Sequence, residues 1–448
     1  MFKNGSETLL DIYQKRSPRS HKAFERAKHI FPGGNTRAVI FYKPYPIYIS
    51  KGHGCKIWDV EGHEILDFIG NYISLILGHS HPKIIEVVKS QLEYGTVFSS
   101  PTEYENILGE KIQERMPSIR SLRFTNSGSE STILAILAAK GFNGRKKIAK
   151  FEGAHHGTNE ATMVSTSPSL KDLGTSVTPK PIPDGPHISD SVLKNTVVLP
   201  FNDKDETEKL ILENRKELAA VIAEPILGSA GIIPARHEFI SSLREVTARN
   251  DIPLIFDEVV TGFRVSRGGA QEYYGVKPDL TALGKNIGGG FPTAAVGGRE
   301  DMMAQFDPIH TNGIFHSGSF NANPISMRAG IALMDELSSD LYRQLDNLGT
   351  NAVNSLRKLF SDEHIESKIT RIASLFCVHF TSEEVTDYRS TLKENTEKQF
   401  NLFLGLLLND VLISKRGIGC VSEPMTNREV DSLVHKTAQV LPYIKESS

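Results

Sequence analysis

From about Asn71 to about Arg299 the chain alternates short apolar runs with segments of helical period, and no other feature restricts its fold as strongly. In order, these are SLRFT then STILAILAAKGF, KIAKF, TVVLPF then ETEKLILENRKE, AAVIAEP then EFISSLREVTARN, PLIFDEV, and LTALGK. Strands that follow one another through helical crossovers pair in parallel, and runs this apolar need cover on both faces. The expected fold class is α/β, with a mainly parallel central sheet in a large domain over residues 71–325. Ahead of it, residues 1–70 read as an arm of two helices, broken at Ser17-Pro18 and ended by Pro32-Gly33-Gly34, then a small antiparallel sheet from PYPIYIS, CKIWDV and EILDFI. After Asn323-Pro324, helical patterns lead to the strand SLFCVHF and two more helices, so residues 326–448 read as a smaller α+β domain that the first unit joins. The stretch from about Thr158 to Asn195 is rich in Pro, Ser and Asp and has no sustained period; a loop that long suggests a lid near a site.

Charge and cysteine content narrow the partners. Lysine plus arginine number 51 against 53 acidic residues, a formal charge of −2, which gives no electrostatic reason to expect nucleic acid or an anionic membrane. No stretch reaches the roughly 20 apolar residues of a membrane span, and the N-terminal MFKNGSETLLDIYQKRS lacks the apolar core of a secretory leader. The three cysteines, Cys55, Cys377 and Cys420, are odd in number and widely spaced, as in a reducing compartment, so a cytoplasmic location is expected. Asn4-Gly5-Ser6 matches a glycosylation acceptor, an accidental match in such a chain.

Ligands of an open parallel sheet sit at the carboxyl ends of its strands. After LRFT come Asn126-Ser127-Gly128-Ser129-Glu130, small residues opening a helix whose free N–H groups suit either an ordinary cap or a phosphate. After PLIF comes Asp257, either a helix cap or an acid able to hold a proton on a pyridine nitrogen. Lys285 follows LTALG; partial burial there lowers a lysine's pKa and makes its amine a nucleophile toward an aldehyde, whereas a lone lysine would simply reach solvent from the rim. The combination favours the chemical reading, because Asp257 and Lys285 lie 285 − 257 = 28 positions apart, one strand-helix-strand unit, and can face one cleft with Ser127–Ser129.

These residues resemble the class III aminotransferases of PLP fold type I, the aspartate aminotransferase-like fold, and within them the branch containing glutamate-1-semialdehyde 2,1-aminomutase. PGGNTR, WDVEGHEILDF, LGHSHP, LRFTNSGSE, FEGAHHG, EPILGSAGIIP, IFDEVVTGFR, PDLTALGKNIGGGFP and HSGSFNANP stand in that family's order from about Phe31 onward. The resemblance implies pyridoxal 5′-phosphate on Lys285, Asp257 at its pyridine nitrogen, and Ser127, Gly128 and Ser129 on its phosphate. It places Val259 against one ring face and His155 in the stacking position, where the family usually has Tyr. It also implies that Ser319 reaches the phosphate of a second subunit, hence a homodimer, and that the substrates are small amino acids and keto acids.

Asn71-Tyr72, Ser414-Lys415-Arg416-Gly417 and NTRAVIFYKPYPIYI depart from the aminomutase and look more like the β-amino-acid (β-phenylalanine type) aminotransferases of the same branch. The expected activity is therefore amino-group transfer on a carboxylate-bearing amino compound, with the intramolecular aminomutase reaction as the alternative. Arg37, after PGGNT, stands where both groups bind a carboxylate and has the geometry for it, while Arg416 is either a second contact or a solvated turn residue. His79-Ser80-His81 and His155-His156 raise a remote alternative, a metal-dependent hydrolase, but no spaced carboxylate or cysteine accompanies them, so no metal is expected. No Gly-x-Gly-x-x-Gly or Walker pattern supports a dinucleotide or nucleotide enzyme.

Overall fold

The computed structural model describes residues 8–175, 178–309 and 313–446; Asn4-Gly5-Ser6 lies outside them. The N-terminal arm is the two expected helices, α1 (Leu9–Arg16) and α2 (Pro18–Lys28). Thr8 and Asp11 close a capping box on the first, and Pro18 starts the second, where its missing N–H costs nothing. Strands β1 (Ile49–His53), β2 (Lys56–Asp59) and β3 (Glu64–Asp67) follow as an antiparallel meander. The run PYPIYIS becomes strand only at its last two residues.

Helices α3 (Pro82–Tyr94) and α4 (Glu103–Arg115) lead into the large sheet. Its elements are β4 (Ser121–Thr125), α5 (Gly128–Asn143), β5 (Lys147–Phe151), β6 (Thr196–Leu199), α6 (Lys204–Asn214), β7 (Leu218–Ala223), α7 (His237–Arg249), β8 (Leu254–Glu258), β9 (Leu280–Leu283) and β10 (Ala294–Gly298). The seven strands lie in the order β4-β10-β9-β8-β7-β5-β6. Every residue of β7, β8 and β9 is buried, because helices cover both faces; this is why those runs are apolar apart from Thr281 and the Asp257-Glu258 pair that ends β8. Strand β10 is antiparallel to both neighbours and inserts between β9 and β4. Periodicity does not reveal it, since AAVGG is small and glycine-rich and owes its strand conformation to the pairing on either side.

The C-terminal part comprises α8 (Pro324–Glu336), α9 (Ser339–Asp362), β11 (Lys368–Ile372), β12 (Leu375–His379), α10 (Thr396–Leu408), β13 (Val411–Leu412), β14 (Ile418–Cys420) and α11 (Asn427–Lys445). The expected boundary at 325/326 falls in the first turn of α8. Strands β11, β12 and β14 form an antiparallel sheet, whereas β13 runs parallel to β3 and completes the N-terminal meander, tying the two ends of the chain together. The described part of the stretch after Thr158 has one short α-helix, Asp190–Lys194, and is fastened to the body: Val164 bridges Pro183, Tyr388 Oη donates to Pro168 O (2.9 Å), and Arg389 Nη1 donates to Gly174 O (3.0 Å). No helix among the described residues is long and apolar enough to cross a membrane.

Candidate active site

The carboxyl ends of β4, β5, β7, β8 and β9 converge on one cluster. At the end of β4, Ser127 is a true cap: its Oγ accepts from Glu130 N (3.3 Å) and donates to Glu130 Oε1 (3.1 Å). The cap leaves the N–H groups of Gly128 and Ser129, in the first turn of α5, without an intrahelical acceptor, so capping by Ser127 is compatible with an anion at the same turn. Ser129 Oγ accepts from Thr158 N (3.0 Å), and Gly157 (φ +78°) packs so closely that a Cβ there would come within 2.2 Å of that oxygen. A Cβ on Gly128 would come within 2.8 Å of the Val259 methyls, so Val259 is pressed against the loop.

At the end of β8, Asp257 is 4% exposed. Its Oδ1 accepts from Val259 N (3.1 Å) and its Oδ2 lies 2.7 Å from Nδ1 of the buried His156. Burial lowers the His156 pKa against the pull of Asp257, so the ring is neutral near pH 7 and donates through Nδ1. Its Nε2 has no partner among the described residues. Lys285, half-buried with φ +43°, opens the turn after β9. Burial lowers its pKa and the neighbouring Arg37 lowers it further, while Glu224 and Asp257 oppose them.

Glu224, at the end of β7, belongs to this cluster and was not anticipated. It is 4% exposed, and its oxygens accept from His155 N (2.7 Å) and Gly228 N (3.1 Å). Burial and the nearby Asp257 push its pKa up to about 8. The strand-end logic that selects Asp257 applies equally to the acid in AAVIAEP, so the signal was present in the sequence. His155 is exposed, its main chain is held by Glu224, and burial lowers the pKa of its ring, which also feels His156, Asp257 and Lys285.

Arg37 is exposed, and its Nη1 donates to Asn71 Oδ1 (2.8 Å). Arg416 is also exposed, after a strand that ends at Leu412. Both guanidiniums lie near Tyr72, whose phenol burial pushes up and the two charges pull down. Ser319 is exposed on the segment before α8, and no hydrogen bond among the described residues joins it to the Lys285 cluster, although nearby Asn321 Oδ1 accepts from Asn126 Nδ2 (2.7 Å). One histidine of each paired motif meets a carboxylate: His79 Nε2 lies 2.7 Å from Asp67 Oδ2, and His156 Nδ1 lies 2.7 Å from Asp257 Oδ2. No group of three or more metal-type ligands stands together among the described residues.

The residues fit a phosphorylated pyridine aldehyde. There is a nucleophilic amine, a buried acid with a neutral donor behind it, a helix terminus for the phosphate, and a branched side chain between acid and loop. The model of the class III aminotransferase family matches residues 41–402. A protein of Methanocaldococcus jannaschii named glutamate-1-semialdehyde 2,1-aminomutase is 39% identical over 428 residues, 96% of this chain and 98% of that protein. The solved omega-transaminase of Sphaerobacter thermophilus is 40% identical with TM-score 0.93, covering 97% of this chain and 100% of its own. A solved transaminase with PLP bound is 32% identical with TM-score 0.88, covering 96% and 99%.

Proposed function

We propose, for a chain that belongs to the class III aminotransferases and so is a pyridoxal 5′-phosphate enzyme, that it shifts the amino group of a small carboxylate-bearing compound within one molecule. The observation that carries the chemistry is the Lys285 amine set beside Asp257, Glu224 and the α5 terminus. The intramolecular reading, conversion of glutamate 1-semialdehyde by moving its amine from C2 to C1, is supported by the aminomutase relative, 39% identical over nearly the whole of both chains. This reverses the order expected from the sequence, which put transfer between two molecules first. That second reading keeps support from the omega-transaminase, 40% identical over the full fold, and from the departures at Asn71-Tyr72 and Ser414–Gly417.

In this reading Lys285 holds the cofactor, the N–H groups of Gly128 and Ser129 with the Ser127 and Ser129 hydroxyls hold its phosphate, and Val259 and His155 flank its ring. When bound, the cofactor supplies an electron-withdrawing ring that takes up the charge left when a proton leaves the amine-bearing carbon. Asp257 keeps the ring nitrogen protonated, and the neutral His156 behind it supports the carboxylate by donating a hydrogen bond without competing for its charge. Lys285, its pKa lowered, takes the proton from the carbon and returns it at another atom. Glu224, protonated over much of the neutral range, fixes the His155 loop without placing a second full negative charge beside Asp257. Arg37 grips the substrate carboxylate, with Arg416 as a second contact.

Ser319 would complete the phosphate site of a second copy, which makes the enzyme a homodimer, and the buried, unpaired cysteines support a cytoplasmic setting. The deciding experiment offers the holoenzyme glutamate 1-semialdehyde with no acceptor, beside α-, β- and ω-amino acids with 2-oxoglutarate or pyruvate. Turnover of the semialdehyde alone is expected; turnover only when a separate acceptor is supplied would overturn the intramolecular reading in favour of transamination.

A further inference from the structure

Four consecutive residues, Gly70, Asn71, Tyr72 and Ile73, have φ of +48°, +51°, +53° and +76°. A single non-glycine residue in this region is uncommon, and a β-branched one such as Ile73 is a genuine outlier, so the surroundings must enforce the turn. They do so from both ends. Asp67 Oδ1 accepts from Ile69 N and Gly70 N (both 2.9 Å), while Ser74 Oγ donates to Asn71 O (3.0 Å) and accepts from Asn71 Nδ2 (3.0 Å). With Nδ2 committed to Ser74, Oδ1 is the atom left for Arg37, and a guanidinium can only donate. Tyr72 Oη donates to Val39 O, which fixes the arginine's own segment to the same turn.

Among the described residues no carboxylate forms an ion pair with Arg37; its side-chain partner is the Asn71 amide, 2.8 Å away. An amide orients a guanidinium but leaves its charge uncompensated, whereas an aspartate there would orient and neutralise it. We propose that Asn71, held in this left-handed turn, is the positioning residue that aims Arg37 at the substrate carboxylate and keeps its full charge available. This rests on the reading of Arg37 as the carboxylate site.

The test compares Asn71→Asp, Asn71→Gly, Arg37→Ala and the double variant Arg37→Ala/Asn71→Asp. Each is assayed for KM and kcat with the best substrate of the panel above, for the PLP dissociation constant, and for melting temperature. Glycine accepts the backbone without strain, so Asn71→Gly removes only the amide. We expect Asn71→Asp to raise KM about tenfold or more with kcat changed far less, approaching Arg37→Ala, and the double variant to be no worse than Arg37→Ala alone. Asn71→Gly should raise KM by a smaller factor, and PLP affinity should be unchanged in the two Asn71 single variants. A wild-type KM for Asn71→Asp, with Arg37→Ala impaired, overturns the proposal and leaves the carboxylate site standing. Wild-type KM values in both sink the carboxylate reading itself, and loss of PLP and of melting temperature in both Asn71 variants reduces the residue to a purely structural role.

Discussion

Lys285 is surrounded by charges of opposing sign, and each should move its titration in a known direction. Its folded pKa is below the ordinary lysine value of 10.5 because of burial; Arg37 depresses it further and Glu224 raises it. If, as proposed, the unprotonated Lys285 amine captures PLP, the rate at which apoenzyme takes up PLP should rise with pH through a midpoint below 10.5. Arg37→Ala should move that midpoint up and Glu224→Gln should move it down, each by an amount that visible absorbance on mixing apoenzyme with PLP will read. A midpoint at the free-lysine value, indifferent to both substitutions, would show that the amine does not feel this cluster.

The segment 154–164, which presents His155 and His156, hangs on one buried cation. Lys150, wholly buried in β5, donates from Nζ to Ala154 O (2.9 Å), Thr162 O (3.2 Å) and Val164 O (2.5 Å). Replacing it by methionine leaves three buried carbonyls without their donor, each worth about 1–3 kcal/mol, offset in part by the desolvation of the ammonium that is no longer needed. Lys150→Met should therefore lower stability by a few kcal/mol, about 2–4, in denaturant unfolding, and speed hydrogen exchange across residues 154–164 more than elsewhere. Uniform exchange rates would show that the segment stands without it. At the other side of the same segment, Gly157→Ala would place a methyl 2.2 Å from Ser129 Oγ at φ +78°, so PLP affinity should fall about tenfold or more by equilibrium titration. Unaltered affinity would mean that the segment does not brace the phosphate loop.

Across the fold, the C-terminal sheet is clamped to the hairpin that follows Glu224, whose short strands Ile226–Leu227 and Ile233–Pro234 pair antiparallel. Gly231 O, in that hairpin, accepts from Thr370 Oγ1 of β11 (2.7 Å) and from His379 Nε2 of β12 (3.1 Å), while His379 Nδ1 lies 2.7 Å from Glu394. Burial disfavours the charged ring, but Cys377 and the Glu394 carboxylate outweigh it and hold the pKa up to about 10. A pKa raised above the ordinary 6.5 adds stability that is fully present below pH 6.5 and is lost as pH rises through about 10. His379→Gln should thus cost on the order of 2–4 kcal/mol at pH 6 and much less near pH 10, read from unfolding curves at both. A pH-independent difference would mean that the ring is neutral in the fold. A second feature concerns assembly: Leu92, Tyr94, Val97, Phe98, Phe315 and Phe320 are exposed, and Asn323 Nδ2 donates to Thr96 O (2.8 Å), joining the two stretches. Apolar surface of this kind calls for cover, and the proposed homodimer would supply it. Phe98→Asp/Phe320→Asp should sediment as a monomer and hold PLP more weakly; a monomer with undiminished PLP affinity would separate assembly from the cofactor site.

The central strands are readable from the chain alone, because a strand buried on both faces writes its burial locally as a run of apolar residues. PLIFD, LTALGK and LRFTNSGS each announce a strand and a polar or small residue at its end, so the placing of Asp257, Lys285 and Ser127–Ser129 at one edge of the sheet was legible. What surrounds those residues depends on contacts made across the folded chain. Glu224 reaches His155 across 69 residues and His156 reaches Asp257 across 101, and no periodicity encodes such pairings. Strand β10 exists because β9 and β4 flank it, β13 because β3 offers a free edge, and the left-handed turn at Asn71 because Asp67 and Ser74 hold it. In each case the conformation follows from partners distant or polar rather than from local apolar pattern, and the free energy that selects it is spent only once the chain has closed on itself.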